Sequence, residues 1–434
     1  MKVKDSLITL LKMIGMVVAA SIVGMLLLWI VYFLPVEPMA KNVAESYHTL
    51  KALDDSQYLL HQDFWKAYDR GTNIIMLHEI IYPDTGNELR DALLVPTADY
   101  IEYWTADWSE VLHDYASNRQ YAEGEYDSYA RYWHGYLVYL KPLFLFMNLQ
   151  DVNTLNAFVV AFLIILTACL MYKRLGVVCI AYLLTIAVMN PINIALSFQL
   201  STVFYAMQIT LILLLLKDNW EKEHLLFIFV LDGILLSYLD FLTYPFVAFG
   251  LPALTCYFLY KDKKILDNFM SLIFRGIAFA IGYGGMWGMK WILASLLTEE
   301  NVILDAVNSV LHRTGVTQTD DDASFMSISA KDALERNLSS FFNEQNIIIL
   351  CLVLVLAIGF IVFTKKRFVL DKQNILFCMM MSVAPFLWIV LLTNHCSLHP
   401  HLEWRTFAVL VYALSVLIIS SIKMQEEMKR NDIS

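Results

Sequence analysis

The sequence predicts an all-α polytopic membrane protein with about ten transmembrane helices and a large, mostly helical extracytoplasmic first loop. The 434 residues are 58% hydrophobic and only 17% charged, whereas soluble domains carry about 25% charged residues. Long apolar runs recur along the whole chain, and basic residues are concentrated in every second turn between them. These observations exclude an ordinary soluble domain and indicate a bundle of membrane helices.

Ten apolar runs qualify as predicted spans, because a helix needs roughly 20 mostly apolar residues to cross a bilayer. The run that contains Asp232 is the weakest of them. The first run is too long for a signal peptide and no clear small-residue cleavage site follows it, so it is predicted to be a retained anchor. The ten runs lie at about 10–34, 155–172, 175–191, 200–216, 223–240, 243–260, 270–295, 346–364, 374–393 and 406–422.

Basic turns predict the orientation of the bundle, because loops rich in Lys and Arg stay on the cytoplasmic side. With Lys2 and Lys4 inside, each even-numbered crossing returns to a basic turn. Both termini are therefore predicted to be cytoplasmic, in a multi-pass protein of the plasma (inner) membrane. The basic turns are 173–174, 217–222, 261–264, 365–367 and 423–430.

The large first loop is predicted to form a small folded cap on the outer side. Residues 35–135 contain 18 Asp and Glu but only seven Lys and Arg, a balance that also fits a plain solvated surface. The predicted parts of the chain are 1–34 (cytoplasmic tail and first span), 35–154 (extracytoplasmic loop with an interfacial segment), 155–295 (spans two to seven), 296–345 (second extracytoplasmic loop), 346–422 (spans eight to ten) and 423–434 (cytoplasmic tail).

A cationic, aromatic strip, "SYARYWHGYLVYLKPLF" at 128–144, ends this loop. Arg131, His134 and Lys141 stand among several aromatic residues there, and Pro142 interrupts a continuous helix. One interpretation is an interfacial aromatic belt with snorkelling cations. The other is a phosphate site, since Arg binds phosphate oxygens through two parallel hydrogen bonds and Lys supplies a point charge.

Other polar residues are predicted at the same outer edge of the membrane, where charged groups are functional suspects. A lipid-linked phosphate lies at that depth, so this set is the predicted binding site. Besides the three cations of the strip, it comprises Tyr132, Asp240, Tyr244, Lys290, Arg313, Asn394, His395 and Arg405.

A general base has to come from the acids of the outer loops. Asp91 and Asp84 are the candidates, and the alternative for Asp91 is a helix N-cap or a surface acid. The turn "NHCSLHPHLE" at 394–403 holds three histidines, but the spacing matches no common zinc motif. No protein metal site is predicted there, and contact of these histidines with phosphate or hydroxyl groups is preferred.

The layout resembles the GT-C superfamily of glycosyltransferases, membrane enzymes that use polyprenyl-phosphate-linked sugars. The segments "YARYWHGYLVYLKPL", "YLDFLTYP" and "TNH…WRTF" resemble a group of bacterial multispanning proteins near that superfamily. The resemblance implies Asp91 as the first-loop acid, with Arg131, His134 and Lys141 at the substrate entrance. Cys396, Pro400 and Glu403 depart from the group's last turn.

The expected function is therefore inverting sugar transfer from a polyprenyl-phosphate donor to a cell-surface glycan or glycolipid acceptor on the outer face. No GxGxxG or Walker loop occurs, so neither a nucleotide fold nor a nucleic-acid partner is predicted. The partners would be the lipid-linked sugar, its acceptor and membrane lipids. Whether a divalent cation, Mg or Mn, is required as a cofactor is left open by the sequence. A polysaccharide polymerase or ligase and a flippase are the alternatives.

Overall fold

The computed structural model describes residues 3–60, 69–82, 85–98, 108–118, 126–315, 329–364, 367–368 and 371–423. Helices account for nearly all of this part of the chain. A long first helix leads into a group of short elements over residues 36–128, which we call the cap, and the remaining helices form a bundle beside it.

The first helix and the cap come first in the chain. Helix α1 spans Val3–Tyr32. The described residues of the cap form five helices and one antiparallel ribbon, in which Pro96 pairs with Ser128 and Ala98 with Tyr126. The cap elements are α2 (Val36–Glu45), α3 (Tyr47–Leu60), α4 (Arg70–Ile81), α5 (Glu88–Leu94), β1 (Pro96–Ala98), α6 (Trp108–Asn118) and β2 (Tyr126–Ser128).

The bundle follows, and two 3-10 turns, at Gly176–Val178 and Trp404–Phe407, interrupt it. Its elements are α7 (Leu137–Phe144), α8 (Leu149–Leu175), α9 (Cys179–Val188), α10 (Pro191–Leu196), α11 (Phe198–Leu216), α12 (Lys222–Leu239), α13 (Phe246–Leu259), α14 (Ile265–Leu297), α15 (Val302–Arg313), α16 (Ala330–Phe341), α17 (Glu344–Thr364), β3 (Arg367–Phe368), α18 (Lys372–Leu391), α19 (Thr393–Leu398), α20 (Pro400–Glu403), α21 (Ala408–Ser421) and β4 (Ile422–Lys423).

By length and composition, six helical stretches of the described chain could cross a membrane, or seven if the bent pair of α16 and α17 is one span. The six are Ser6–Tyr32, Leu149–Val188, Phe198–Leu216, Ile265–Leu297, Lys372–Leu391 and Pro400–Ser421. The chain thus has the apolar helices of a membrane protein.

The prediction of ten spans is not confirmed, although all ten predicted segments lie mainly on helices. Helix α12 carries Lys222, Glu223 and Asp232, and charges in a span are costly. Helix α13 has only 14 residues, and such a helix is about 21 Å long, less than the ~30 Å of a bilayer's hydrocarbon core.

The stretch Leu149–Val188 reverses direction at Gly176. The side chains of Thr167 and Tyr182 both hydrogen-bond the Gln208 amide oxygen, at 2.6 and 3.0 Å. In one continuous helix these two residues would stand about 22 Å apart. Gly176 has a φ of +60°, which only glycine adopts readily, and it ends α8 there. Helices α8 and α9 therefore form a hairpin.

Helices α12 and α14 approach each other closely, because glycines face each other there. A Cβ atom on Gly233 would lie 2.3 Å from the Phe279 carbonyl oxygen, and one on Gly282 would lie 2.1 Å from that of Val230. Small residues at such positions let two membrane helices approach at backbone distance. This contact fixes α14 beside the end of α12.

Candidate functional site

The strip at 128–144 is buried between α12 and α14 rather than laid along a surface. The Gly135 amide donates to the Tyr238 carbonyl on α12 at 2.8 Å. The Trp133 indole donates to the Met286 carbonyl on α14 at 2.7 Å, and Trp133 has no exposed surface. An interfacial belt would leave these rings partly exposed, so the strip is a packed junction between the cap and the bundle.

His134, in the middle of the strip, belongs to a closed group of buried polar side chains. Its Nε2 atom faces the Tyr129 carbonyl at 2.9 Å, and its Nδ1 atom faces the Tyr136 hydroxyl at 2.6 Å. The Tyr136 hydroxyl in turn donates to Glu79 of α4, whose other carboxylate oxygen lies 3.3 Å from His134 Nδ1. The backbone of His134 has a φ of +54°, a conformation that is uncommon for this residue type and aims the imidazole into this group.

Lys141 and Asp91 lie in the same electrostatic environment. The Lys141 ammonium donates to the Ile80 carbonyl at 2.8 Å and lies 4.4 Å from the centre of the Tyr32 ring. Burial lowers the pKa of Lys141 to about 8, and the nearby carboxylates of Asp91 and Glu79 oppose that shift. We call the buried residues Glu79, Asp91, His134, Tyr136 and Lys141 the Glu79 network.

Asp91 is not the N-cap of its helix, which was one alternative to its role as a base; another residue holds that position. Asn87 is the N-cap of α5, and its side chain accepts from the Arg90 amide at 3.1 Å. The two Asp91 carboxylate oxygens accept from the Thr85 hydroxyl at 2.6 Å and the Thr85 amide at 3.0 Å. Asp84, the other predicted base, lies outside the described residues.

A cavity of about 290 Å³ lies on the other side of the strip. Its walls come from the strip, from the loop after α12 and from α14, α15 and α18, and nearly all of its lining is apolar. We call it the arginine pocket. It is lined by Arg131, Tyr132, Leu242, Tyr283, Trp287, Trp291, Ala306, Ser309, Val310, Arg313, Thr314, Trp388, Leu391 and Leu392.

Among the described residues, Arg131 and Arg313 are the charged members of the lining, and both lie near the Tyr132 ring. The Arg131 guanidinium carbon is 5.8 Å from the centre of the Tyr132 ring, and that of Arg313 is also 5.8 Å from it. Arg131 is also paired with the half-exposed Asp305 on α15, at 3.3 Å. Two arginine side chains therefore line one cavity close to the same aromatic ring.

Arg313 is held by a chain of buried side chains behind the pocket wall. Its guanidinium hydrogen-bonds His395 Nδ1. His395 Nε2 lies 2.8 Å from the Leu242 carbonyl oxygen and 3.3 Å from a Glu403 carboxylate oxygen. Burial, and next the Arg313 charge, hold the pKa of His395 well below its usual 6.5. The imidazole is therefore neutral at physiological pH.

Five of the predicted site residues instead hold the backbone in place. Asp240 accepts from the Leu242 and Thr243 amides, both at 2.9 Å, and fixes the turn after α12. Tyr244 donates to the Leu200 carbonyl at 2.6 Å, and Asn394 donates to the His312 carbonyl at 3.0 Å. Arg405 donates to the carbonyls of Met189 and His401. The buried Lys290 ammonium lies 3.5 Å from the Ala92 carbonyl oxygen.

The structure thus divides the predicted site. Arg131, Tyr132 and Arg313 line the arginine pocket, and His395 lies directly behind it. His134, Lys141 and Asp91 belong to the Glu79 network. Within the described parts of the chain, no three His, Cys, Asp or Glu side chains are grouped so that they could hold a metal ion, and a role for Mg or Mn stays a prediction.

Sequence reasoning missed the aromatic wall of the pocket. Tyr283, Trp287 and Trp291 recur every four residues along α14, and residues four apart share one face of a helix. The residues Glu79, Asp305 and Trp388 were missed as well. The four-residue spacing on α14 was the signal that could have indicated an aromatic wall.

Comparison with known proteins adds no assignment. The chain matches no protein-family model, no curated protein and no solved structure.

Proposed function

We propose that this chain is a membrane glycosyltransferase of the GT-C type that takes its sugar from a polyprenyl-phosphate donor. The arginine pocket carries the proposal: two arginine side chains line one small cavity whose other described walls are mostly aromatic or aliphatic. In this donor, a phosphate group would join a polyprenyl chain to the sugar. The acceptor would be a glycan or glycolipid on the outer side of the membrane.

The chemistry of the pocket suits such a donor. Guanidinium groups bind phosphate oxygens through paired, charge-assisted hydrogen bonds. Aromatic rings bind prenyl chains by burial of apolar area and stack on the apolar faces of sugars. A volume of about 290 Å³ holds a phosphate together with the first part of a chain or one sugar, so the rest of the donor would extend out of the pocket.

The proposed reaction is a single displacement. An acceptor hydroxyl attacks the anomeric carbon, the bond from that carbon to the phosphate oxygen breaks, and the lipid phosphate leaves with the electron pair. Arg131 and Arg313 would stabilise the negative charge that develops on the leaving phosphate. A carboxylate would take the proton of the acceptor hydroxyl, and the product would have the inverted anomeric configuration.

Two carboxylates compete for the role of base in this proposal. Asp91 is the acid that the family resemblance implies, but it lies across the strip from the arginine pocket. Asp305 lies at the pocket, beside Arg131, and its side chain is half exposed, so an acceptor hydroxyl could reach it. Loss of transfer in only one of the variants Asp91→Asn and Asp305→Asn, with donor binding retained, would identify the base.

Binding of farnesyl phosphate to purified protein in detergent tests the pocket. We expect Arg131→Gln and Arg313→Gln each to weaken binding by about tenfold or more, since each removes a charge-assisted contact. Arg174→Gln is the matched control. Arg174 pairs with Asp218 before the start of α12, and the 18 residues of α12 put it about 27 Å from the pocket end of that helix.

Transfer is then measured with the protein in liposomes that contain polyprenyl-phosphate sugars, and with the two arginine variants. Release of sugar-free polyprenyl phosphate that depends on both arginines supports the proposal. Equal farnesyl phosphate binding by the wild type and both arginine variants would refute it, as would tight binding without transfer from any donor of a broad panel.

A further inference from the structure

We infer that His395 and Glu403 are positioning residues that fix the Arg313 guanidinium in the wall of the arginine pocket while leaving its charge available to an anionic ligand. The inference deepens the proposed function, because the ligand it serves is the lipid phosphate. It concerns Arg313 itself, however, and can be tested without that ligand.

The hydrogen bonds around His395 determine its tautomer. An arginine N–H can only donate, so His395 Nδ1, its partner, must accept and carries no hydrogen. The Leu242 carbonyl oxygen can only accept, so Nε2, 2.8 Å away, must carry the hydrogen. The imidazole is therefore neutral. Its hydrogen bond to the Leu242 carbonyl fixes the orientation of the ring, and the ring in turn orients the Arg313 guanidinium.

Glu403 holds the imidazole from the far side. One of its oxygens lies 3.3 Å from His395 Nε2. The other accepts from the Trp388 indole and from the Thr406 hydroxyl, both at 3.1 Å. Glu403 has no exposed surface, and the ring of Trp388 itself lines the pocket. The carboxylate therefore ties the histidine to a second part of the pocket wall.

The arrangement differs from an ordinary ion pair in a way that suits ligand binding. Within the described chain, Arg313 contacts His395 and, at 3.4 Å, the Ser309 hydroxyl, but no carboxylate directly. A carboxylate on the guanidinium would compete with an incoming phosphate for the same N–H groups. A neutral imidazole orients the group without neutralising it, and the Glu403 carboxyl contacts the imidazole rather than the guanidinium.

The test uses variants that separate a positioning role from a space-filling one. Asn at position 395 keeps an acceptor oxygen close to the place of Nδ1, whereas Ala removes it. Glu403→Gln keeps the shape of the side chain and replaces one carboxyl oxygen by an amide NH2 group. His399→Asn is the matched control, since the His399 ring lies 4.9 Å from that of His395 and lines no part of the pocket.

The first measurement is phenylglyoxal modification of Arg313, followed by peptide mass spectrometry without any ligand. We expect His395→Ala to modify several-fold faster than wild type, because a guanidinium without its acceptor is mobile. His395→Asn and His399→Asn should react at the wild-type rate. Equal rates in wild type and His395→Ala, or equal rates in the Ala and Asn variants, would overturn the inference.

The second measurement is the dissociation constant for farnesyl phosphate. We expect about a tenfold loss for His395→Ala, about threefold for Glu403→Gln, and less than that for His395→Asn. If wild-type protein binds no farnesyl phosphate while Arg313 modification still depends on residue 395, the proposed function fails and the positioning role stands. If wild type and His395→Ala bind equally well, the positioning role fails.

Discussion

The arginine pocket and the Glu79 network use the same kinds of side chain for different ends. The Glu79 network contains a lysine, a histidine, a tyrosine and two carboxylates, whereas two arginines and two tyrosines line the arginine pocket, with His395 and Glu403 behind its wall. The strip at 128–144 contributes to both. In the Glu79 network the groups bind one another and the backbone, and the side chains of Glu79 and His134 have no exposed surface. In the arginine pocket two guanidiniums face a cavity.

The contrast shows why burial of charge by itself does not identify a binding site. A buried charge that is satisfied by protein groups stabilises or specifies the fold, and its removal exposes the cost of the partner left behind. A charge beside an apolar cavity is instead available to a ligand. Substitutions in the network should therefore change stability, and those in the pocket should change binding.

Removal of the central acid of the network should have the largest effect. We expect Glu79→Ala to lower the free energy of unfolding by about 3–5 kcal/mol, since it leaves the Tyr136 hydroxyl, His134 and the Lys141 charge without their buried acid. Unfolding in detergent, followed by intrinsic fluorescence, measures the change. Glu45→Ala, at an exposed pair with Lys41, should cost less than about 1 kcal/mol. Similar losses at both positions would remove the distinction between network and surface.

The pH dependence of stability should reveal the buried Lys141 ammonium. Its folded pKa of about 8 lies below the usual 10.5, so the unfolded protein binds more protons between these two pH values. Stability should therefore rise with pH across this window, by about 3 kcal/mol from this group, and the gain should be absent below it. Lys141→Met should lack this rise, whereas the exposed control Lys41→Met should keep it. Identical slopes in wild type and Lys141→Met would contradict the assignment.

Two tryptophans offer a matched pair across the boundary between the two regions. Trp133→Phe removes the 2.7 Å hydrogen bond to the Met286 carbonyl, which costs about 0.5–1.5 kcal/mol beyond the lost volume. The Trp287 indole N–H has no hydrogen-bond partner among the described residues, so Trp287→Phe should cost less. Thermal unfolding of both variants measures the difference. A larger loss at Trp287 would mean that the pocket wall is as tightly specified as the strip.

The smallest expected effect is a gain in binding. Asp305 neutralises part of the Arg131 charge at 3.3 Å, so Asp305→Asn should tighten farnesyl phosphate binding about two- to fivefold, the size of an exposed ion pair. Stability should change by less than about 0.5 kcal/mol. Glu300→Gln, at the neighbouring exposed pair with Arg90, should leave binding unchanged. Weaker binding in Asp305→Asn would show that Asp305 supports the pocket rather than competing for it.

The sequence determined the helical class and the helix positions well, because apolar runs and their length depend on local composition. The count of ten spans is not confirmed where composition is ambiguous, as in α12 with Asp232 and in the 14-residue α13. The sequence also placed Arg131 and Arg313 in one candidate set, and both line the arginine pocket. Asp240, Tyr244 and Arg405, from the same predicted set, bind backbone groups, and their place in a site stays a prediction.

What the sequence by itself determined is therefore a membrane-type helical chain with a polar cap and a junction rich in cations and aromatic rings. Only the tertiary structure decided which of those cations face a cavity. Arg131 and His134 stand three residues apart in the strip, yet one lines the pocket and the other is enclosed with Glu79. The partners that separate them come from α4, α14 and α15, and contacts between segments that are distant in the chain leave no local pattern in the sequence.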